Sequence, residues 1–161
     1  MSRVARSARV GSRQRVEAIT ASKDLQSAET GELYWVDQDG GAIVITLPTR
    51  QDGAYFKFLA ADELTGLNTK TIIIRCSVSA DTNGNLIGTS TTIKDNGAVT
   101  IDGDAKASIN DGHHIFTINA SSTGDKLYAG SEVEVYCDGT NWILNARLMT
   151  DESTTLGKFS G

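Results

Sequence analysis

Cys76, Cys137, His113 and His114 are the residues with which this chain could do nucleophilic or metal chemistry. A catalytic thiol needs a histidine held beside it in space. Adjacent residues of a strand face opposite sides, so at most one of the two histidines could serve. The same geometry keeps them from chelating one zinc ion together, and no Cys-x-x-Cys accompanies them. Both cysteines fall in expected strands, and no secretory leader places the chain in an oxidising compartment. They are read as buried free thiols. Calcium is the other candidate. Asp81-Thr82-Asn83-Gly84-Asn85 begins like a calcium loop, but Leu86 stands where the turn glycine belongs and Thr92 where a closing glutamate belongs. Asp37-Gln38-Asp39-Gly40-Gly41 is too short to surround an ion, and Asp- and Asn-rich turns are ordinary hairpin chemistry. No acid pair stands out for glycoside cleavage, and neither phosphate-binding glycine fingerprint occurs. No catalytic, cofactor or metal site is expected, and the chain is read as a non-enzyme.

Charge is the more informative signal. The net charge of −5 is unevenly spread over the 161 residues. Arg3, Arg6, Arg9, Arg13 and Arg15 make residues 1–16 purely cationic, which leaves ten basic against twenty acidic residues in the remainder. A cationic arm on an acidic body is drawn to anionic surfaces, and the attraction weakens with salt. The arm has no aromatic residue to stack on bases, and the acidic body repels phosphates, which disfavours nucleic acid. Three readings stay open for it: a solvated tail, an anchor on a protein partner, and a nucleic-acid contact. No apolar run approaches the length of a membrane span.

Behind these residues the elements read as strands. Short runs rich in Val, Ile, Tyr, Phe and Thr are expected at residues 32–36, 42–47, 54–59, 71–78, 86–93, 98–101, 114–119, 132–137 and 142–148. Asp39-Gly40-Gly41, Asp52-Gly53, Asn83-Gly84, Asn96-Gly97, Asp102-Gly103, Asp111-Gly112 and Asp138-Gly139 are the expected breaks. In residues 131–137 the alternation points Val133, Val135 and Cys137 one way and Glu132, Glu134 and Tyr136 the other. Residues 71–74 are apolar on both faces, as a covered central strand would be. Helix is expected only weakly, at residues 18–28 and as a single turn at residues 60–64. Of the aromatic residues Tyr34, Trp35, Tyr55, Phe56, Phe58, Tyr136 and Trp142, most are expected in the core, and an exposed ring could stack on a sugar. The fold class is all-β: an antiparallel β-sandwich or jelly-roll-like domain at residues 31–149, with an extended basic arm at 1–30 and a polar tail at 150–161.

The order of the motifs carries a resemblance. Gly31-Glu32-Leu33-Tyr34-Trp35-Val36-Asp37 leads into Ala42-Ile43-Val44-Ile45-Thr46-Leu47-Pro48, then Asp52-Gly53-Ala54-Tyr55-Phe56-Lys57-Phe58 and Lys70-Thr71-Ile72-Ile73-Ile74. Gly84-Asn85-Leu86-Ile87-Gly88 and the closing Val133-Glu134-Val135-Tyr136-Cys137-Asp138-Gly139-Thr140-Asn141-Trp142 follow. Over residues 30–148 this string resembles the small β-sandwich proteins displayed on tailed-bacteriophage particles, among them head decoration (cement) proteins and parts of tail or head fibres. The resemblance implies a non-enzymatic homotrimer without cofactors. It would be made in the host cytoplasm and seated on the outer surface of the virion, where it clamps the capsid lattice. Its partners would be the major capsid protein and other copies of itself, with neither membrane nor nucleic acid involved. The five arginines would meet acidic groups of the capsid. The alternative is a fibre domain that binds host-surface glycans through loops 81–85 and 120–130.

Overall fold

The computed structural model describes residues 16–38, 41–61, 63–65, 67, 69–76, 86–95, 99–106, 114–119, 126–151 and 156–160. Along the chain run β1 (Val16–Ile19), β2 (Lys23–Asp24), β3 (Leu33–Val36), β4 (Ile43–Thr46), β5 (Tyr55–Ala60), β6 (Leu64–Thr65) and β7 (Ile72–Arg75). They are followed by β8 (Leu86–Asp95), β9 (Val99–Lys106), β10 (Ile115–Ile118), β11 (Lys126–Leu127), β12 (Glu132–Cys137), β13 (Trp142–Thr150) and β14 (Gly157–Ser160). A short 3-10 turn at Ser27–Glu29 is the helical element among the described residues.

Each of the nine expected strands overlaps one of these, and the chain is all-β. The strands form a nine-stranded and a five-stranded sheet. In the large sheet β1, β3, β5, β12, β13, β8 and β9 lie side by side, with the β11–β6 ribbon joining β13 beyond β12. The small sheet runs β14-β10-β7-β4-β2. Strand direction departs from the expected antiparallel pattern. The pairs β1–β3, β3–β5, β2–β4, β4–β7 and β8–β13 are parallel, so the sheets are mixed.

The sheets face each other over one apolar core. Period-two alternation sends Phe56, Phe58 and Ala60 of β5 inward, with Val133, Val135 and Cys137 of β12 and Leu144, Ala146 and Leu148 of β13. Ile43 and Ile45 of β4, Ile72 and Ile74 of β7, and Phe116 and Ile118 of β10 meet them from the small sheet. Tyr34 stacks on Phe58 at 5.5 Å between ring centres, and Phe56 lies 6.0 Å from Trp142. Burying one such side chain contributes about 1.5–3 kcal/mol, which makes this layer the main source of stability.

Two ends of the chain behave differently from expectation. Residues 16–30, assigned to the arm, are joined to the sandwich: β1 pairs with β3 and β2 with β4. The helix expected at 18–28 gives way to these strands because their backbone groups find sheet partners. Likewise β5 runs through Ala60, and Leu64–Thr65 bridges to β11 in place of the expected turn. The described part of the tail expected from residue 150 includes strand too. Thr150 closes β13, and β14 pairs with β10 while Phe159 packs 5.0 Å from Phe116. Asp102-Gly103, expected as a break, lies inside β9; a side chain at Gly103 would come 2.8 Å from the Ser90 carbonyl oxygen, so glycine lets β8 and β9 approach.

Polar stitches close both sides of the sandwich. On one side Lys23 of β2 reaches across to Glu17 of β1, at 2.5 Å. On the other, the Leu156 amide donates to Thr92 Oγ1 at 3.3 Å and the Phe159 amide to Asp104 Oδ2 at 2.9 Å.

Candidate functional site: the outward face of the large sheet

The strand register decides which side chains share the outer face. Leu33 of β3, Lys57 of β5, Glu134 of β12 and Asn145 of β13 form one row, and Trp35, Leu59, Glu132 and Arg147 form the next. Tyr55, Tyr136 and Ile143 form a third. At the centre, Lys57 Nζ lies 2.7 Å from Glu132 Oε2 and 2.8 Å from Glu134 Oε1. Arg147 takes the other oxygen of Glu132 at 3.0 Å, and the Tyr55 hydroxyl donates to Glu134 at 3.1 Å. Hydrogen bonds to Glu132 and Glu134 raise the lysine's pKa well above its ordinary value. The Lys57 ammonium in turn holds the Glu134 carboxyl below the usual range. Two cations and two carboxylates neutralise one another within this network. Trp35 and Tyr136 flank it with 38% and 41% of their surface exposed, while Tyr34, Phe56 and Trp142 are fully buried.

A second charged group lies at the edge, where β1 faces β2. The carboxylates of Glu17, Glu29 and Glu32 come within 4.8 Å of one another. Lys23 Nζ sits 2.5 Å from Glu17 and 2.8 Å from Glu29, and 5.0 Å above the Tyr34 ring. Burial works against the charged lysine, but hydrogen bonds to Glu17 and Glu29 outweigh it and raise its pKa. The Tyr34 hydroxyl donates to Glu32 at 3.1 Å, and burial first, then this bond, raises its pKa. The cluster therefore carries a cation of its own, and its geometry is that of a clasp between sheet edges.

Residues singled out from the sequence are scattered. Arg3, Arg6, Arg9, Arg13 and Arg15 lie outside the described residues, as do His113, loop 81–85 and residues 120–125 of the second loop. Cys76 and Cys137 are both buried, and neither is in a disulfide. His114 directly precedes β10, its amide donating to the Ser160 carbonyl and its carbonyl accepting from the Cys76 amide. Thr92 faces inward to β14. The apolar void between the sheets, lined by Ile45, Phe58, Ile74 and Leu148 among others, measures about 20 Å³, no larger than a single water molecule needs. The central role of Lys57 had no sequence signal, because its partners depend on the β5–β12 register. The outward direction of Glu132, Glu134 and Tyr136 did have one. Among protein-family models and curated proteins, none matches this chain.

Proposed function

We propose that this chain is a non-enzymatic structural protein of a bacteriophage particle, a decoration subunit that grips the outer surface of the head through its basic N-terminal segment. The carrying observation is the position of β1. It begins at Val16 on the edge of the large sheet, and the five arginines of residues 3–15 precede it in the sequence. Everything after residue 16 has twice as many acids as bases. This divides the molecule into a cationic anchor and an acidic body, which orients it on an anionic protein lattice. The virion context comes from the resemblance over residues 30–148. A subunit that binds the assembled lattice and not its separated parts stabilises the assembly by linkage, and several anchors in an oligomer multiply the effect.

Deleting residues 1–15 leaves β1 intact and tests the reading by co-sedimentation with heads. The full chain is expected to attach with an affinity that falls as salt rises, and the truncated chain to stay in the supernatant. Equal attachment and equal salt response in the two would overturn it.

A further inference from the structure

We infer that the outward face of the large sheet binds an uncharged oligosaccharide laid from Trp35 across Lys57 to Tyr136. This goes beyond the decoration reading and does not depend on it.

The argument starts with register. Trp35 is level with Leu59 on β5, and Tyr136 is level with Tyr55 on the same strand. Lys57 lies midway between those two positions. Two strand spacings and four residues therefore separate the exposed rings, about 16 Å along the diagonal. A ligand bridging them must offer an apolar face at each end and hydrogen-bonding groups over the middle. The middle is Lys57 with Glu134 beside it; the ammonium has three N–H donors and spends two on Glu132 and Glu134, and each carboxylate oxygen accepts more than one bond. A sugar ring has this mixed character, with C–H faces that lie on aromatic rings and hydroxyls around the edge.

Charge then selects among sugars. Lys57 and Arg147 are matched by Glu132 and Glu134 at 2.7–3.0 Å, so the face has no net charge of its own. The body around it is acidic. An anionic glycan would approach against that field, and a cationic partner would find both carboxylates already engaged. A neutral ligand meets neither obstacle. A second copy of the chain fits less well, because a polar row separates the two exposed rings where a protein interface would place an apolar centre.

The test uses the full chain on a printed array of neutral hexose and N-acetylhexosamine oligosaccharides beside sialylated and sulfated ones. Selective retention of neutral members is expected. Trp35→Ala and Tyr136→Ala should each weaken retention about tenfold or more, with melting temperature as the check on folding. The chain lacking residues 1–15 should bind the array unchanged, which separates this inference from the anchoring role. Three results would overturn it: no neutral oligosaccharide retained, retention of acidic members alone, or variants that bind normally yet sediment as smaller species. The last would mean that another copy covers the face.

Discussion

Lys57 and Glu134 are 77 residues apart in sequence and meet at 2.8 Å, because β5 and β12 pair with these two positions directly opposite. Glu132 shares the same ammonium at 2.7 Å. Lys57→Met would keep most of the side-chain volume and leave Glu132 with Arg147 and Glu134 with Tyr55. The pair is partly exposed, so solvent screens it, and the expected loss is about 1 kcal/mol in urea unfolding. The Glu134 carboxyl should titrate closer to its ordinary range in the variant, which carbon-detected NMR would follow. A variant as stable as the parent, with Glu134 unchanged, would show that the register does not bring these groups together.

Stability should fall at both ends of the pH scale. The hydrogen bond from Lys57 holds Glu134 low, and the backbone amides of Asn141 and Thr140 hold Asp138 low. For both, the unfolded chain binds more protons in acid, so the stability they contribute above about pH 4 is lost as pH drops through their folded values. Tyr34 and Lys57 have the opposite shift, the tyrosine chiefly through burial and the lysine chiefly through Glu132. Their contribution is complete below about pH 10 and is lost as pH rises through the raised values. Urea midpoints measured across the range should show a plateau near neutrality with a decline on either side. An undiminished midpoint at alkaline pH would count against the buried Tyr34–Glu32 bond.

Two glycines should resist substitution for different reasons. At Gly157 an added methyl would stand 2.4 Å from Ser90 Oγ, 2.6 Å from Phe116 Cζ and 2.9 Å from Leu148 Cδ1, side-chain atoms that can partly yield. Gly157→Ala is expected to cost about 1–3 kcal/mol, the usual range for overpacking. At Gly88 the methyl would sit 1.8 Å from the Leu144 carbonyl oxygen with φ at +141°, where backbone must move. Gly88→Ala should therefore be the more damaging of the two, as their melting temperatures would show.

Both cysteines should be silent in the native state. Cys76 and Cys137 are each 3% exposed, and neither is in a disulfide. A thiol reagent is expected to label neither before unfolding and both in denaturant, with rapid native labelling of either contradicting its burial.

The faces of the strands were legible, and their directions were not. At residues 131–137 the alternation assigned Val133, Val135 and Cys137 to the core and Glu132, Glu134 and Tyr136 to the surface, as the structure has them. That alternation has the same period in parallel and antiparallel strands, so it could not reveal that β1, β3 and β5 run together. The strands that escaped notice are Lys23–Asp24, Leu64–Thr65, Lys126–Leu127, Val16–Ile19 and Gly157–Ser160. The first three are two residues long and have no period to read. Gly157–Ser160 combines a glycine, a lysine and a serine with one aromatic ring, and only the partner β10 makes it a strand. The outward network around Lys57 was half legible for the same reason: each strand declared its own faces, but only long-range pairing chose the neighbours.

The stitching of β14 to β10 has a consequence for how the molecule is made. Phe159 covers Phe116, and β14 follows β13 in the chain, so that seam stays open until the residues beyond β13 have emerged from the ribosome. Hairpins such as β12–β13 can form earlier in synthesis, and the small sheet gains β14 after them. A nascent chain stalled or cut short before β14 would display the Phe116 ring to solvent, a ready mark for chaperones and proteases that separates copies carrying this strand from copies without it.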